Sequence, residues 1–228
     1  MVAKIRAYKS PDDIETSLRY IEGHKKVLES YGVKQVTSAN HNWLYDEQTY
    51  VVIVESEDGD RIFGGTRVQI RSENLKMPME DAIAKIDPGI YAYMDKFGDS
   101  TIAEFCGLFN SKEVAGFGIG SIFLGRIAIA ISANMGVNKL LGLCSPATLR
   151  NSLRVGFEIL RDLGNNGTFY YPREGLIATA LIIEDVVNLP NATQEERDRI
   201  LDLRHNPSQQ AVEKGPKGEL EIIYDTKI

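Results

Sequence analysis

One stretch of this chain restricts the folds open to it. Between Thr101 and Leu163, apolar runs alternate around a loop of three spaced glycines, Gly116-Phe117-Gly118-Ile119-Gly120-Ser121. Thr101 to Phe109 (TIAEFCGLF) is apolar enough for a mostly buried strand. Ile122 to Met135 (IFLGRIAIAISANM) has the length and composition of a buried helix, and Lys139 to Cys144 (KLLGLC) fits a second inner strand. Thr148 to Leu163 alternates apolar and charged residues at helical spacing. Strand, glycine loop, helix, strand, helix in that order requires helices packed on a sheet.

Spaced glycines let successive backbone N–H groups turn toward one point, because no Cβ blocks close approach. The helix that follows adds unpaired donors and the positive end of its dipole, so phosphate is the fitting guest. An ordinary glycine-rich turn without a ligand is the alternative. A P-loop needs Gly-Lys-Ser/Thr, and no lysine follows Gly120. A dinucleotide fold needs G-x-G-x-x-G straight after the strand and an acid closing the next one. Here several residues separate Phe109 from Gly116, and the next strand ends Leu143-Cys144-Ser145-Pro146 without a carboxylate.

A third phosphate-binding pattern fits better. The order of elements, the loop Gly118-Ile119-Gly120 and the later Asn151…Gly156-Phe157 resemble the GNAT superfamily of acyltransferases. The resemblance implies an α/β (α+β) fold over residues 1–228: a GNAT-like mixed, mostly antiparallel twisted sheet flanked by helices. It also implies that Ala115, Gly116, Phe117, Gly118, Ile119, Gly120 and Ser121, with Asn151, hold the phosphates of the donor. That donor is acetyl-CoA or another acyl-CoA, or the acyl-phosphopantetheine of an acyl-carrier protein. Two positions depart from the family pattern. Ala115 stands where Gln or Arg usually opens the loop, and Ser152 where a tyrosine often serves as general acid. The first half is further similar to acyl-homoserine-lactone synthases and N-acyl amino acid synthases. Tyr45-Asp46, Gly65-Thr66-Arg67, Ala103-Glu104 and the run Leu28-Glu29-Ser30-Tyr31-Gly32 carry that similarity, while Gly107 replaces an arginine often found there.

Acyl transfer from a thioester to an amine needs a base for the ammonium proton, a donor for the oxyanion, and reactants held together. Glu104 is the candidate base, because period-two alternation aims it off the central strand and burial would raise its pKa. The alternative is a carboxylate paired with Arg67. Arg67 suits the carboxylate of an acceptor through a bidentate contact, or is an ordinary strand arginine. Asp46 would bind the acceptor amine or pair with Arg67. Ser152 is a poor acid, so the general acid is unassigned: Tyr170 or Tyr171 could substitute unless both only pack, and water is the other proton source for the leaving group. His24, His41 and His205 lack metal-ligand spacing, so no metal is expected. The expected function is N-acyl transfer to a small-molecule amine, an amino acid among the candidates. The rival is a catalytically weak module of the same fold that binds an acyl thioester or a protein.

Charge and hydropathy narrow the partners. A net charge of −6 excludes a general nucleic-acid binder. Residues 111–174 nevertheless carry a net +3, which suits an anionic donor at the loop or a solvated helix face. Cys106 and Cys144 lie in apolar runs and read as reduced, buried thiols. The N-terminal MVAKIRAYKS has no apolar signal segment, and the helix after the loop is too short to span a membrane, so a cytoplasmic chain is expected. Elsewhere, Ser10 caps a helix through Ser30, Asp58-Gly59 joins strands 49–55 and 61–70, and Met79 to Ile86 is a short helix. Strands follow at 168–171 and 176–184. Thr193 and Glu196 box a helix to Arg204, and residues 219–224 form a final edge strand.

Overall fold

The structure, a computed structural model, describes every residue except Lys34 and Gln35, and describes Ser121 by its backbone alone. Alternation builds β1 (Val2–Lys9), which buries Ala3, Ile5 and Ala7 while Lys4 and Arg6 stand on the other side. The helix α1 (Ile14–Ser30) is capped by Asp13, whose carboxylate accepts from the Thr16 amide at 3.0 Å. Ser10, the expected cap, instead belongs to a 3-10 turn, and its hydroxyl donates inward to the Leu44 carbonyl. β2 (Thr49–Ser56) and β3 (Ile62–Ile70) form the expected hairpin, with Gly59 at φ +79° in its turn.

Two short helices follow, α2 (Pro78–Ile83) and α3 (Gly89–Asp95), and then the central strand β4 (Ile102–Asn110). The glycine loop leads through a π-helical turn, Ile119–Phe123, into α4 (Leu124–Asn134) and on to β5 (Lys139–Cys144). The remainder is α5 (Pro146–Arg154), β6 (Glu158–Ile159), β7 (Thr168–Tyr170), β8 (Ile177–Ile183) and α6 (Gln194–His205). A hairpin of β9 (Ser208–Gly215) and β10 (Gly218–Asp225) closes the chain.

All strands join one sheet in the order β6-β8-β5-β4-β3-β2-β1-β10-β9, with β7 also on β8. Pairing is antiparallel except for β4 with β5 and β1 with β10. α4 lies on one face, over Val52, Val68 and Ala103. The other face is covered by α1, around Tyr20, Ile53 and Phe109, and by α2 and α3, around Met79, Ile90, Ile102 and Leu141.

Four further expectations are corrected. The helix read across 148–163 stops at Arg154, because Gly156 adopts φ +109°. Its amide bonds the Leu153 carbonyl and the Phe157 amide bonds that of Ser152, a glycine-terminated helix end. The short helix expected at 79–86 is Pro78–Ile83. The strand expected at the C-terminal edge is interior: β10 pairs with β1 on one side and β9 on the other. β9 (SQQAVEKG) had no apolar alternation to announce it, and it is the actual edge. The Thr193 cap forms, its hydroxyl accepting from the Glu196 amide, but the Glu196 carboxylate turns to arginines instead of closing the box.

Candidate active site

The glycine loop has the backbone its sequence implied. Gly116 (φ +92°) and Gly118 (φ +95°) occupy the left-handed region that side chains resist, and a Cβ on Gly120 would overlap the Asn110 amide oxygen. The amides of Ile119 and Gly120 open the helical turn, where a helix offers its own N–H groups no acceptor. One neighbour was not legible in the sequence: the β9–β10 turn lies across the loop. The Lys217 amide donates to the Gly116 carbonyl at 2.9 Å, its side chain crosses Gly116, and Gly215 packs against the Phe117 carbonyl. Gly116 and Gly120 thus have packing reasons beside any ligand role. Asn151 and Ser152 are half-buried on α5, which packs beside the π turn. The Ser152 hydroxyl donates to the Thr148 carbonyl at 3.2 Å.

Beyond the loop, β4 and β5 part. Their ladder runs from Ile102–Lys139 to Phe105–Gly142 and ends there, although β4 continues to Asn110. Two strands that separate leave backbone groups that need other partners. On the side facing β3, a bulge at Gly107 (φ +63°) breaks the register, and the Tyr20 hydroxyl donates to the Gly107 carbonyl at 2.8 Å. An arginine at this position would drive its Cβ into that hydroxyl, which accounts for the glycine.

Glu104 and Arg67 face away from α4, into a closed chamber of packed side chains. Glu104 is 2% exposed and Arg67 0%. In register, Gln69 pairs with Glu104 and Arg67 with Cys106, so the four side chains are neighbours on two adjacent strands. They do not form the ion pair considered from sequence. Glu104 accepts from the Met79 amide at 2.7 Å. Arg67 donates to the Ser38 carbonyl and to Gln69 Oε1, both at 3.2 Å, and stacks 4.5 Å over the ring of Trp43. Among the described residues its Nε is buried without a hydrogen-bond partner.

Burial pushes the Glu104 carboxyl up to about 8, against the lowering by the Met79 amide and Arg67. Burial likewise takes the Cys106 thiol up to about 12, and burial together with Arg67 takes His24 down to about 4. Burial thus favours the neutral forms of Glu104, Cys106 and His24 beside the Arg67 guanidinium. Such a charge calls for an anion. Asp46 does not meet Arg67: it accepts from the Thr49 hydroxyl at 2.6 Å in its own turn. Of the two late tyrosines, Tyr170 is 64% exposed, whereas the Tyr171 hydroxyl is held by the Thr37 amide at 2.6 Å and the Thr37 hydroxyl at 2.9 Å.

Much of the local basic excess is committed to structure. Arg126 bonds Glu196 at 2.6 Å and Glu213 at 2.8 Å, Arg154 bonds Glu196 at 2.7 Å, and Lys139 pairs with Glu184. Arg199 and the Tyr224 hydroxyl complete the network at Glu213. It pins α6 and the C-terminal hairpin onto α4. Both cysteines are free; Cys106 is buried and Cys144, beside Thr148 and Ser152, is half-buried. Among the described residues, no group of three His, Cys, Asp or Glu side chains gathers as a metal site. No helix among them is long and apolar enough to cross a membrane.

No protein-family profile and no curated protein sequence matches this chain. Solved structures do. FeeM, an N-acyl amino acid synthase from uncultured soil microbes, superposes with a TM-score of 0.63 at 13% identity, over 86% of this chain and 97% of that one. The chain has the GNAT-like α/β fold. ElaA of Escherichia coli shares it at a TM-score of 0.54 and 9% identity, covering 80% of this chain and all 100% of ElaA. BjaI, a CoA-dependent acyl-homoserine lactone synthase solved with MTA, does so at 0.52 and 13%, covering 90% and 91%.

Proposed function

We propose that this chain is an N-acyltransferase that moves an acyl group from acyl-CoA, or from an acyl-carrier protein, to the amine of a carboxylate-bearing small molecule such as an amino acid. The observation that carries the reading is the chamber: a buried Glu104 raised to about 8 beside a buried Arg67 with an unpartnered Nε. The GNAT-like fold shared with FeeM and BjaI supports acyl transfer in general. The donor's phosphates meet the backbone of residues 115–121, with Asn151 opposite on α5. The loop lies at the α4 end and Glu104 on the other face of β4, so the parting of β4 and β5 is the passage for the thioester. Arg67 takes the acceptor carboxylate, and Asp46 its ammonium, giving up the bond to Thr49. Glu104, once ionised, removes the proton that the ammonium must lose before its nitrogen attacks the thioester carbonyl. A carboxyl near 8 is a fitting base at neutral to mildly alkaline pH.

One observation favours the second reading, a binding module of weak activity. The Ser152 hydroxyl is spent on a helix carbonyl and is no acid for a departing thiolate. Thermal melting against CoA, acetyl-CoA, long-chain acyl-CoA and NAD(H), repeated with acyl-carrier protein, tests donor binding, since a ligand of the native state raises the midpoint. The proposal expects a shift with an acyl thioester that disappears in Gly118→Asp. Absence of any shift with CoA species and carrier protein overturns it. A shift without product by mass spectrometry supports the binding module.

A further inference from the structure

The chamber around Glu104 and Arg67 has no mouth in this structure. Glu104 is 2% exposed and Arg67 0%. What covers the chamber is a 3-10 turn, Thr37–Ala39, lodged against α1, α2 and β4. The Ser38 carbonyl of this turn takes Arg67 Nη1. The Thr37 carbonyl takes the Asn40 side chain at 2.8 Å, and the Asn40 carbonyl takes Trp43 Nε1 at 2.7 Å. This roof buries little of itself, for none of residues 36–42 is buried. A segment with few buried groups opens at low free energy, unlike the strands beneath it.

Besides Arg67 and Trp43, a side chain distant in sequence ties the roof. Tyr171, in the loop between β7 and β8, holds both the amide and the hydroxyl of Thr37, from 134 positions away in sequence. Tyr171 also lies within electrostatic reach of Glu104 and of Asp81 on α2. We propose that the Thr37–Tyr171 contact is the latch of a door, and that the roof turn at 37–40 must lift from it before a small molecule reaches Glu104 and Arg67. The door itself follows from burial and hydrogen bonding alone; its service to an amine acceptor rests on the transferase reading above. Closing it over a bound acceptor excludes water from the thioester and tightens the grip on the acceptor carboxylate.

Cys106 makes the door measurable, since it sits beside Arg67 in the chamber and is 7% exposed. In a Cys144→Ala background, the rate of maleimide labelling of Cys106 reports opening. Tyr171→Phe removes the hydroxyl that makes both bonds. Two hydrogen bonds of ordinary net strength correspond to about tenfold in the opening equilibrium, or about 1.4 kcal/mol. Labelling is therefore expected to accelerate about tenfold in Tyr171→Phe and less in Thr37→Ala, which keeps the amide bond. Tyr170→Phe, on the exposed neighbour, is expected to leave it unchanged. Unchanged rates in both Tyr171→Phe and Thr37→Ala, with melting midpoints near that of the background protein, overturn the latch. So does acceleration that Tyr170→Phe produces equally. A panel of free amino acids is then added to the same assay. Protection of Cys106 supports the acceptor reading, and acceleration by Tyr171→Phe without protection by any of them keeps the door and rejects that reading.

Discussion

Glu104→Gln should stabilise the folded chain, and by an amount that depends on pH. The carboxyl has an ordinary value of 4.5 and sits near 8 when folded. Between those two pH values the folded state keeps a proton that the unfolded state has released. Stability therefore falls as pH rises, starting near 4.5 and ending near 8. At 1.36 kcal/mol per factor of ten, the burden of Glu104 is about 1 kcal/mol at pH 5 and about 5 kcal/mol at pH 9. Glutamine has nearly the same shape, cannot ionise, and its oxygen still accepts from the Met79 amide. Urea unfolding of both proteins at pH 5 and pH 9 measures the effect. The variant should gain about 4 kcal/mol more over wild type at pH 9 than at pH 5. An equal difference at both pH values would refute the claim that burial holds this carboxyl protonated.

Three further outcomes follow from the same geometry. Arg126→Met leaves Glu196 and Glu213 with less compensation in the interior and should cost about 3–5 kcal/mol, read as a lower denaturation midpoint. Gly120→Ala forces the Asn110 side chain aside and should cost about 1–3 kcal/mol while weakening thioester binding, measured by melting with and without the donor. Arg67→Met removes a buried charge that has no carboxylate partner, so it should fold with near-normal stability while the acceptor KM rises and donor binding stays unchanged.

The central unit was legible because its signals are local. The apolar runs at 101–109, 122–135 and 139–144, the glycines between them and Asp58-Gly59 each declare their conformation within a few residues. What escaped is decided at a distance. β9 is mostly polar, its Ala211 and Val212 adjacent instead of alternating, and it becomes a strand by pairing with β10. The helix expected to reach Leu163 was cut by Gly156, whose positive φ no composition shows. Glu104 and Arg67 could be named from the sequence, but their separation into an amide-bound acid and a guanidinium without a carboxylate partner depends on Met79, Ser38 and Trp43. The lysine over the glycine loop and the Thr37–Tyr171 contact join segments about 100 or more positions apart, beyond the reach of any local pattern.

The most direct test of the account is the pH dependence of acyl transfer by wild type and Glu104→Gln, followed by mass spectrometry with the donor and amino acid that shift the melting point. The rate should rise with pH and level off near 8, as the buried carboxyl becomes a base. Glu104→Gln should lower it by about 10²-fold or more with donor binding intact. Transfer by Glu104→Gln at the wild-type rate, with the same pH profile, would contradict the assignment of Glu104 as the base.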